Sequence, residues 1–193
     1  MKGSVRSTAV GFVSVLFALV ACGEGTATGP ETGADAEPSL ADVSATPKIT
    51  HLTAVETICA FDPGESRIVN GVVHFHGRKA TTRAVSDDPR YTGTAEVVFR
   101  GRQDVMTRDG SGFGRFSFEP DGIDGTWEGT FTGEWNGGLF SGRGVAHGTG
   151  ELQGLTLNSR LEEYVRDADD PVPCDPPVPT QFRQEITIID PGS

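Results

Sequence analysis

The feature that most constrains this chain is the segment 126–135, in which large aromatic rings and glycines alternate with polar residues. Successive side chains of a β-strand point to opposite faces of a sheet, so strict alternation predicts a half-buried strand. One face carries only rings and glycines, namely Trp127, Gly129, Phe131, Gly133 and Trp135. Rings beside glycines allow a sheet to bend sharply while its interior is still filled.

The same alternation continues along the chain and predicts an all-β domain. The next segment, 140–148, places Phe140 and Ala146 on one face together with two glycines. Turn signals such as Asp109-Gly110 and Asp121-Gly122 separate the predicted strands. About eight strands at regular spacing predict a single antiparallel β-barrel, with a β-sandwich as the alternative. The other predicted strands are 50–59, 67–79, 91–102, 113–119, 155–165 and 180–190.

The first 21 residues are predicted to be a signal peptide and not part of the fold. Lys2 and Arg6 precede an apolar run, residues 9–20, that is short for a membrane span. The run ends in Leu19-Val20-Ala21-Cys22, which resembles the lipobox of bacterial lipoproteins. In that family the chain is cut before the cysteine, which then receives acyl chains such as palmitate. The alternative is an ordinary secretory signal in which Cys22 is incidental.

The lipobox resemblance implies a location for the mature chain. A lipid on Cys22 would hold the protein to a bilayer in the cell envelope, outside the cytoplasm, on the outer membrane or on the outer face of the cell membrane. Residues 22–48 are rich in Gly, Ala, Thr, Pro and acidic residues. They cannot bury enough surface to offset their ordering entropy, so we expect a flexible linker. Residues 49–193 are the length of one folded domain.

Charge and cysteine content narrow the possible partners and the compartment. The formal net charge is −11, from 27 acidic and 16 basic residues, and no basic stripe interrupts it. Nucleic acid is therefore excluded as a predicted partner. Of the three cysteines, Cys59 and Cys174 remain once Cys22 is assigned to lipidation. In an oxidising compartment this pair predicts a disulfide, with two buried free thiols as the alternative.

A second resemblance concerns the fold. The segment 143–157, Arg-Gly-Val-Ala-His-Gly-Thr-Gly-Glu-Leu-Gln-Gly-Leu-Thr-Leu, is similar to the glycine-rich strand pair of allene oxide cyclase-like and dirigent-like proteins. Those proteins are eight-stranded antiparallel barrels with a central cavity. The resemblance implies the same fold here. It transfers no catalytic residue, because none of that family's catalytic positions can be matched to this sequence.

Few residues are candidates for a binding or catalytic site. His74 and His76 stand two apart on one strand face and are the weak candidates for a metal site, although no third ligand is in register with them. No nucleophile-elbow or phosphate-binding loop is present in the sequence, so no catalytic residue and no cofactor is predicted. The best candidates for a ligand-binding wall are aromatic, with core packing as the alternative: Phe116, Phe118, Trp127, Phe131, Trp135 and Phe140.

Three classes of function stay open at this point. The first is a membrane-anchored binding or interaction module, with a small apolar ligand inside the barrel or a protein partner. The second is an isomerase or cyclase of the allene oxide cyclase-like type, which needs a polar group inside the cavity. The third is a structural surface lipoprotein that acts through its outer face. The sequence favours the first, and an enzyme is the less favoured class.

Overall fold

The computed structural model describes residues 46–165, 173–174 and 180–192. The predicted signal peptide, the predicted lipidation site Cys22 and most of the predicted linker lie outside these residues. Contacts divide the chain after Asp42, and every strand lies in the second unit, residues 43–193. Within the described residues, no helix has both the length and the hydropathy needed to cross a membrane.

The described residues form nine antiparallel strands: β1 Lys48–Asp62, β2 Glu65–Val69, β3 Val72–Ser86, β4 Gly93–Asp104, β5 Gly110–Pro120, β6 Trp127–Asn136, β7 Leu139–Gly148, β8 Thr156–Val165 and β9 Thr180–Asp190. Strands β3 to β8 each pair with the next strand in sequence, β9 pairs with β1, and β1 pairs with β3. Eight strands therefore close into a barrel, and β2 adds to β3 as one extra strand. The predicted antiparallel barrel is confirmed, and the sandwich alternative is wrong.

One predicted strand, 67–79, is wrong because it contains a hairpin turn. Asn70 and Gly71 have φ values of 50° and 78°, and Val69 pairs with Val72 across them. Two consecutive residues at positive φ make the tight turn that matches the twist of paired strands, and Asn-Gly is its preferred sequence. The turn separates β2 from β3 and accounts for the strand that the sequence did not predict.

A β-bulge in β3 changes which of its side chains face the barrel interior. Phe75 pairs with Gly101, whereas Arg78 pairs with Phe99, so the register shifts between them. Gly77 has a φ of 65° at this point, a conformation that glycine adopts without strain. Before the bulge the odd-numbered Phe75 is buried, and after it the even-numbered Ala80 is buried. The bulge therefore also places Arg78 on the inner face.

One end of the barrel is filled by a packed core. Tyr91 comes from a 3₁₀ turn at Pro89–Tyr91, and Leu152 comes from a second one at Gly150–Leu152. Trp127 is fully buried in the same cluster, and its indole N–H donates to the Arg90 carbonyl at 2.9 Å. Burying a large apolar side chain of this kind stabilises the fold by roughly 1.5–3 kcal/mol. The other members of this core are Ala54, Ala84, Ala95, Phe118, Ala146, Leu157, Ile186 and Ile188.

The two cysteines of the domain are joined. Cys59 near the end of β1 is bonded to Cys174, which precedes β9, with 5.4 Å between their Cα atoms. That separation lies within the usual range for a disulfide. Beside Cys59, the Gln181 amide donates to Thr57 at 2.9 Å, and both residues are fully buried. The bond ties the first strand of the barrel to the segment that leads into the last one.

Candidate functional site: a cavity inside the barrel

The barrel interior is not filled beyond the packed core. A cavity of about 290 Å³ extends from Tyr91 and Phe118 toward the opposite end, where it reaches Arg108 and Gly138 in the β4–β5 and β6–β7 turns. Phe61 lines this cavity and is also 45% exposed. The cavity is therefore closed at the core end and has its mouth at the end that carries Phe61.

Nine aromatic residues line the cavity. Five of the six predicted rings line it, whereas Trp127 lies in the packed core and does not. The rings contact one another: Trp135 is 4.7 Å from Phe140 between ring centres, and Phe131 stands edge-on to Phe140 at 6.2 Å. Sequence reasoning missed four further rings on the wall, those of Phe61, Tyr91, Phe99 and Phe182.

The glycines of the neighbouring strands hold these rings against the sheet. A Cβ atom on Gly129 would stand 2.6 Å from the Phe116 ring, and one on Gly114 would stand 2.6 Å from the Phe131 ring. Trp135 covers Gly112 in the same way, at 2.7 Å. Each ring therefore occupies the space that a side chain at the glycine of the adjacent strand would take. This is the physical reason for the alternation of rings and glycines, and it leaves the centre of the barrel unoccupied.

The inner part of the cavity carries a hydrogen-bonded polar group centred on Glu56. Thr82 donates its hydroxyl proton to one carboxylate oxygen at 2.5 Å, and the Gln184 amide donates to the other. The Tyr91 hydroxyl in turn donates to the Gln184 carbonyl oxygen at 2.9 Å. All four residues line the cavity. Glu56 is thus a partly buried carboxyl of the cavity wall, and both of its oxygens accept hydrogen bonds, as polar groups removed from water require.

Burial alters the protonation of this group. The accessible surface that Glu56 retains faces the cavity, and desolvation raises the pKa of its carboxyl above the ordinary 4.5, against the lowering effect of the Thr82 hydrogen bond. Burial also raises the pKa of Tyr91, and the nearby Glu56 charge adds to that rise. A carboxyl whose pKa is raised by burial keeps its proton to a higher pH than an exposed carboxyl does.

The mouth carries a second acidic group. Glu163 accepts a hydrogen bond from the Phe140 backbone N–H at 3.0 Å. Burial raises the pKa of Glu163, while that hydrogen bond and the positive charge of Arg108 lower it. Arg108 is held in place by its backbone, since its carbonyl accepts from the Gln103 amide at 2.9 Å.

The two histidines lie apart from the cavity. His74 and His76 are on the outer face of β3, since the buried Phe75 between them points inward. His76 stands 3.1 Å from the Glu65 carboxylate, and both side chains are exposed. Among the described residues, no three metal-ligating side chains come together.

The polar residues of the cavity were missed at the sequence level, although a signal for them exists. Glu56 alternates with Leu52 and Ala54 on the inward face of β1, and Gln184 lies between Phe182 and Ile186 in the inward series of β9. A polar residue in an apolar series is the signal of a buried functional group. Arg78 carried no such signal, because its inward position depends on the bulge at Gly77.

No protein-family model matches this chain, and no curated protein matches it. The geometry of the cavity is therefore the basis for any statement about function.

Proposed function

We propose that this protein is a lipid-anchored lipoprotein of the cell envelope whose barrel binds a small apolar molecule. The observation that carries the proposal is the cavity of about 290 Å³ walled by aromatic rings. Small-molecule sites are concave, mostly apolar and furnished with a few fixed polar groups. The cavity, called the lumen from here on, is likewise lined by apolar side chains, and Glu56 and its hydrogen-bond partners are among its polar groups.

The volume sets the size of the ligand. Cavities that bind drug-sized molecules measure roughly 300–1,000 Å³, so a lumen of about 290 Å³ fits a ligand at the small end of the range. Taking the ~30 Å³ that a water molecule occupies as a measure, the lumen has room for about ten non-hydrogen atoms. A short alkyl chain or a two-ring aromatic compound has this size.

The two tryptophans provide an internal test of binding. The chain contains no others, and they lie in different surroundings: the Trp135 ring lines the cavity, whereas Trp127 lies in the packed core. We would prepare the second unit, residues 43–193, from an oxidising compartment with ¹⁵N labelling and titrate it with 1-decanol. The indole N–H signal of Trp135 is expected to shift saturably while that of Trp127 stays in place. A Trp135→Phe variant assigns the two signals.

A matched pair of variants makes this test specific to the lumen. Leu161→Phe adds a ring inside the cavity, and Val145→Phe adds the same ring on the outer face, where Val145 is 46% exposed. Decanol binding is expected to weaken at least tenfold in the first variant and to be unchanged in the second. If neither indole signal moves up to the solubility limit of decanol, the lumen does not bind apolar molecules, and the search turns to partners of the outer face.

The anchor is tested separately, on the complete chain. Metabolic labelling with a palmitate analogue in a bacterial host is expected to label the protein and to place it in the membrane fraction. Cys22→Ser is expected to abolish the label. Labelling that survives this substitution would contradict the assignment of Cys22 as the lipidated residue.

A second candidate function, an isomerase or cyclase, is favoured by one observation. Glu56 is a carboxyl of raised pKa inside a ligand-sized cavity, which suits general acid–base chemistry. An isomerase changes a compound without changing its mass. Incubation of the protein with apolar small molecules extracted from its source should therefore convert one compound into another of equal mass, and Glu56→Gln should stop the conversion. If the extract has the same composition after incubation with the wild type and with Glu56→Gln, catalysis is contradicted and the binding function still stands.

A further inference from the structure

Arg78 is the cation that the bulge in β3 brings into the lumen. In an unbroken strand, inward positions would continue from Phe75 to Gly77, and Arg78 would point to solvent. The register shift between Phe75 and Arg78 instead turns Arg78 inward, where it lines the cavity. The bulge therefore directs the Arg78 guanidinium into the aromatic-lined cavity and not to the outer surface of the barrel.

The surroundings of this guanidinium are apolar. Its central carbon lies 3.8 Å from the centre of the Phe75 ring and 5.9 Å from that of Phe61. These distances allow cation–π attraction, which holds the group in place but satisfies none of its N–H donors. The Nε atom of Arg78 is buried and has no hydrogen-bond partner, the one buried side-chain polar atom of the described residues in that state. Desolvation also lowers the pKa of Arg78 from its ordinary value.

The acidic groups of the lumen have partners other than Arg78. Glu56 accepts from Thr82 and Gln184, and Glu163 accepts from the Phe140 backbone and lies near Arg108. No ion pair to Arg78 occurs in the part of the chain that the structure describes, although ion pairs involving Arg83, Arg90 and Arg160 do. The lumen therefore presents one partly buried cation, and among the described residues no protein acceptor binds its N–H donors.

We propose, on the basis of the proposed binding function, that the ligand is an apolar monocarboxylic acid whose carboxylate binds Arg78 while its apolar body lies along the aromatic wall. A guanidinium forms two parallel hydrogen bonds to a carboxylate, which would supply the missing acceptor. Of the charged groups that line the cavity, two are acidic and two are basic: Glu56, Glu163, Arg78 and Arg108. Arg108 lies near Glu163, so Arg78 is the one of these cations without an acidic neighbour, which favours one negative charge over the two of a phosphate monoester.

The distance between the two polar groups gives the length of the ligand. Thr82, which holds Glu56, lies four residues along β3 from Arg78. At ~3.3 Å per residue, the separation along the strand is roughly 13 Å. An unbranched acid such as decanoate, with its carboxylate near the mouth and its chain toward Phe118, matches this length and the volume of the cavity.

The test compares decanoate with decanol, which share the same chain and differ in charge. Calorimetric titration of residues 43–193 at pH 7.5 is expected to show decanoate binding at least tenfold more tightly. Arg78→Gln should remove this preference, and Arg78→Lys should keep part of it. Arg100→Gln is the matched control, because Arg100 stacks on Phe113 at 4.3 Å on the outer face and should leave the preference unchanged.

Each result distinguishes this inference from the proposed function. Equal binding of the acid and the alcohol would overturn the role of Arg78 and leave an apolar site intact. Binding of neither compound would overturn both. If Arg78→Gln does not fold, the acid–alcohol comparison on the wild-type protein, together with a shift of the Arg78 Nε–H signal on adding decanoate, decides the question. A signal that does not move would count against the proposal.

Discussion

Replacing Glu56 with glutamine should change how stability depends on pH. The substitution preserves the size of the side chain but removes its ability to titrate. In the folded protein, burial raises the pKa of Glu56 above the ordinary 4.5 that it has in the unfolded chain. The folded state therefore binds this proton more tightly, so the free energy of unfolding falls as the pH rises from about 4.5 to the folded pKa. Above the folded pKa, the titration of Glu56 no longer changes the free energy of unfolding.

The size of the effect follows from the linkage between pKa and stability. Each unit by which burial raises the pKa of Glu56 lowers the free energy of unfolding by about 1.4 kcal/mol at higher pH. Between pH 4.5 and the folded pKa of Glu56, the free energy of unfolding of the wild type relative to Glu56→Gln should fall by about 1.4 kcal/mol per pH unit. Glu163 is present in both proteins and cancels from this difference.

Urea unfolding of residues 43–193, followed by tryptophan fluorescence at pH values from 4 to 9, measures this difference directly. The wild-type protein should lose stability relative to Glu56→Gln as the pH rises. A difference that stays constant over the whole range would refute the assignment of Glu56 as a carboxyl of raised pKa. If the wild type instead gains stability relative to Glu56→Gln as the pH rises, the folded protein stabilises the charged form of Glu56.

Three further predictions concern the barrel itself. Replacing Cys59 and Cys174 together with serine opens a crosslink between residues 115 apart and should lower the urea-measured stability by roughly 2–5 kcal/mol, whereas an unchanged value would show that the bond does not form. Gly129→Ala places a Cβ atom 2.5 Å from the Val145 carbonyl oxygen and should cost roughly 1–3 kcal/mol by the same assay; no loss would contradict the close packing. Asn70→Val puts a β-branched residue at a φ of 50° and should lower the melting temperature, and an unchanged melting temperature would contradict the tight turn.

The inward faces of the strands could be predicted from the sequence because alternation is a local property. In β6, the series from Trp127 to Trp135 faces inward as its periodicity indicates, and the same holds for Phe140 and Ala146 in β7. The hairpin at Asn70-Gly71 was missed because the apolar residues on both sides were treated as one strand, although Asn-Gly is a strong turn signal.

The cavity could not be predicted from the sequence. Whether a ring fills the centre of a barrel or lies against its wall depends on the partner opposite it on the next strand. Phe116 lies opposite Gly129, and Phe131 lies opposite Gly144, pairings that are set by register and not by local pattern. The inward position of Arg78 likewise depends on a one-residue bulge. The site thus follows from long-range pairing, which alternation within a single strand does not specify.

The central claim is that the lumen takes up a small apolar molecule, and a crystal structure with a heavy-atom ligand tests it most directly. Crystals of residues 43–193 would be soaked in 10-bromo-1-decanol, and the bromine would be located by its anomalous scattering. We predict a bromine peak inside the barrel, with continuous density passing the Trp135 and Phe131 rings. A structure in which the rings fill the lumen and bromine is found only on the outer surface would contradict the claim.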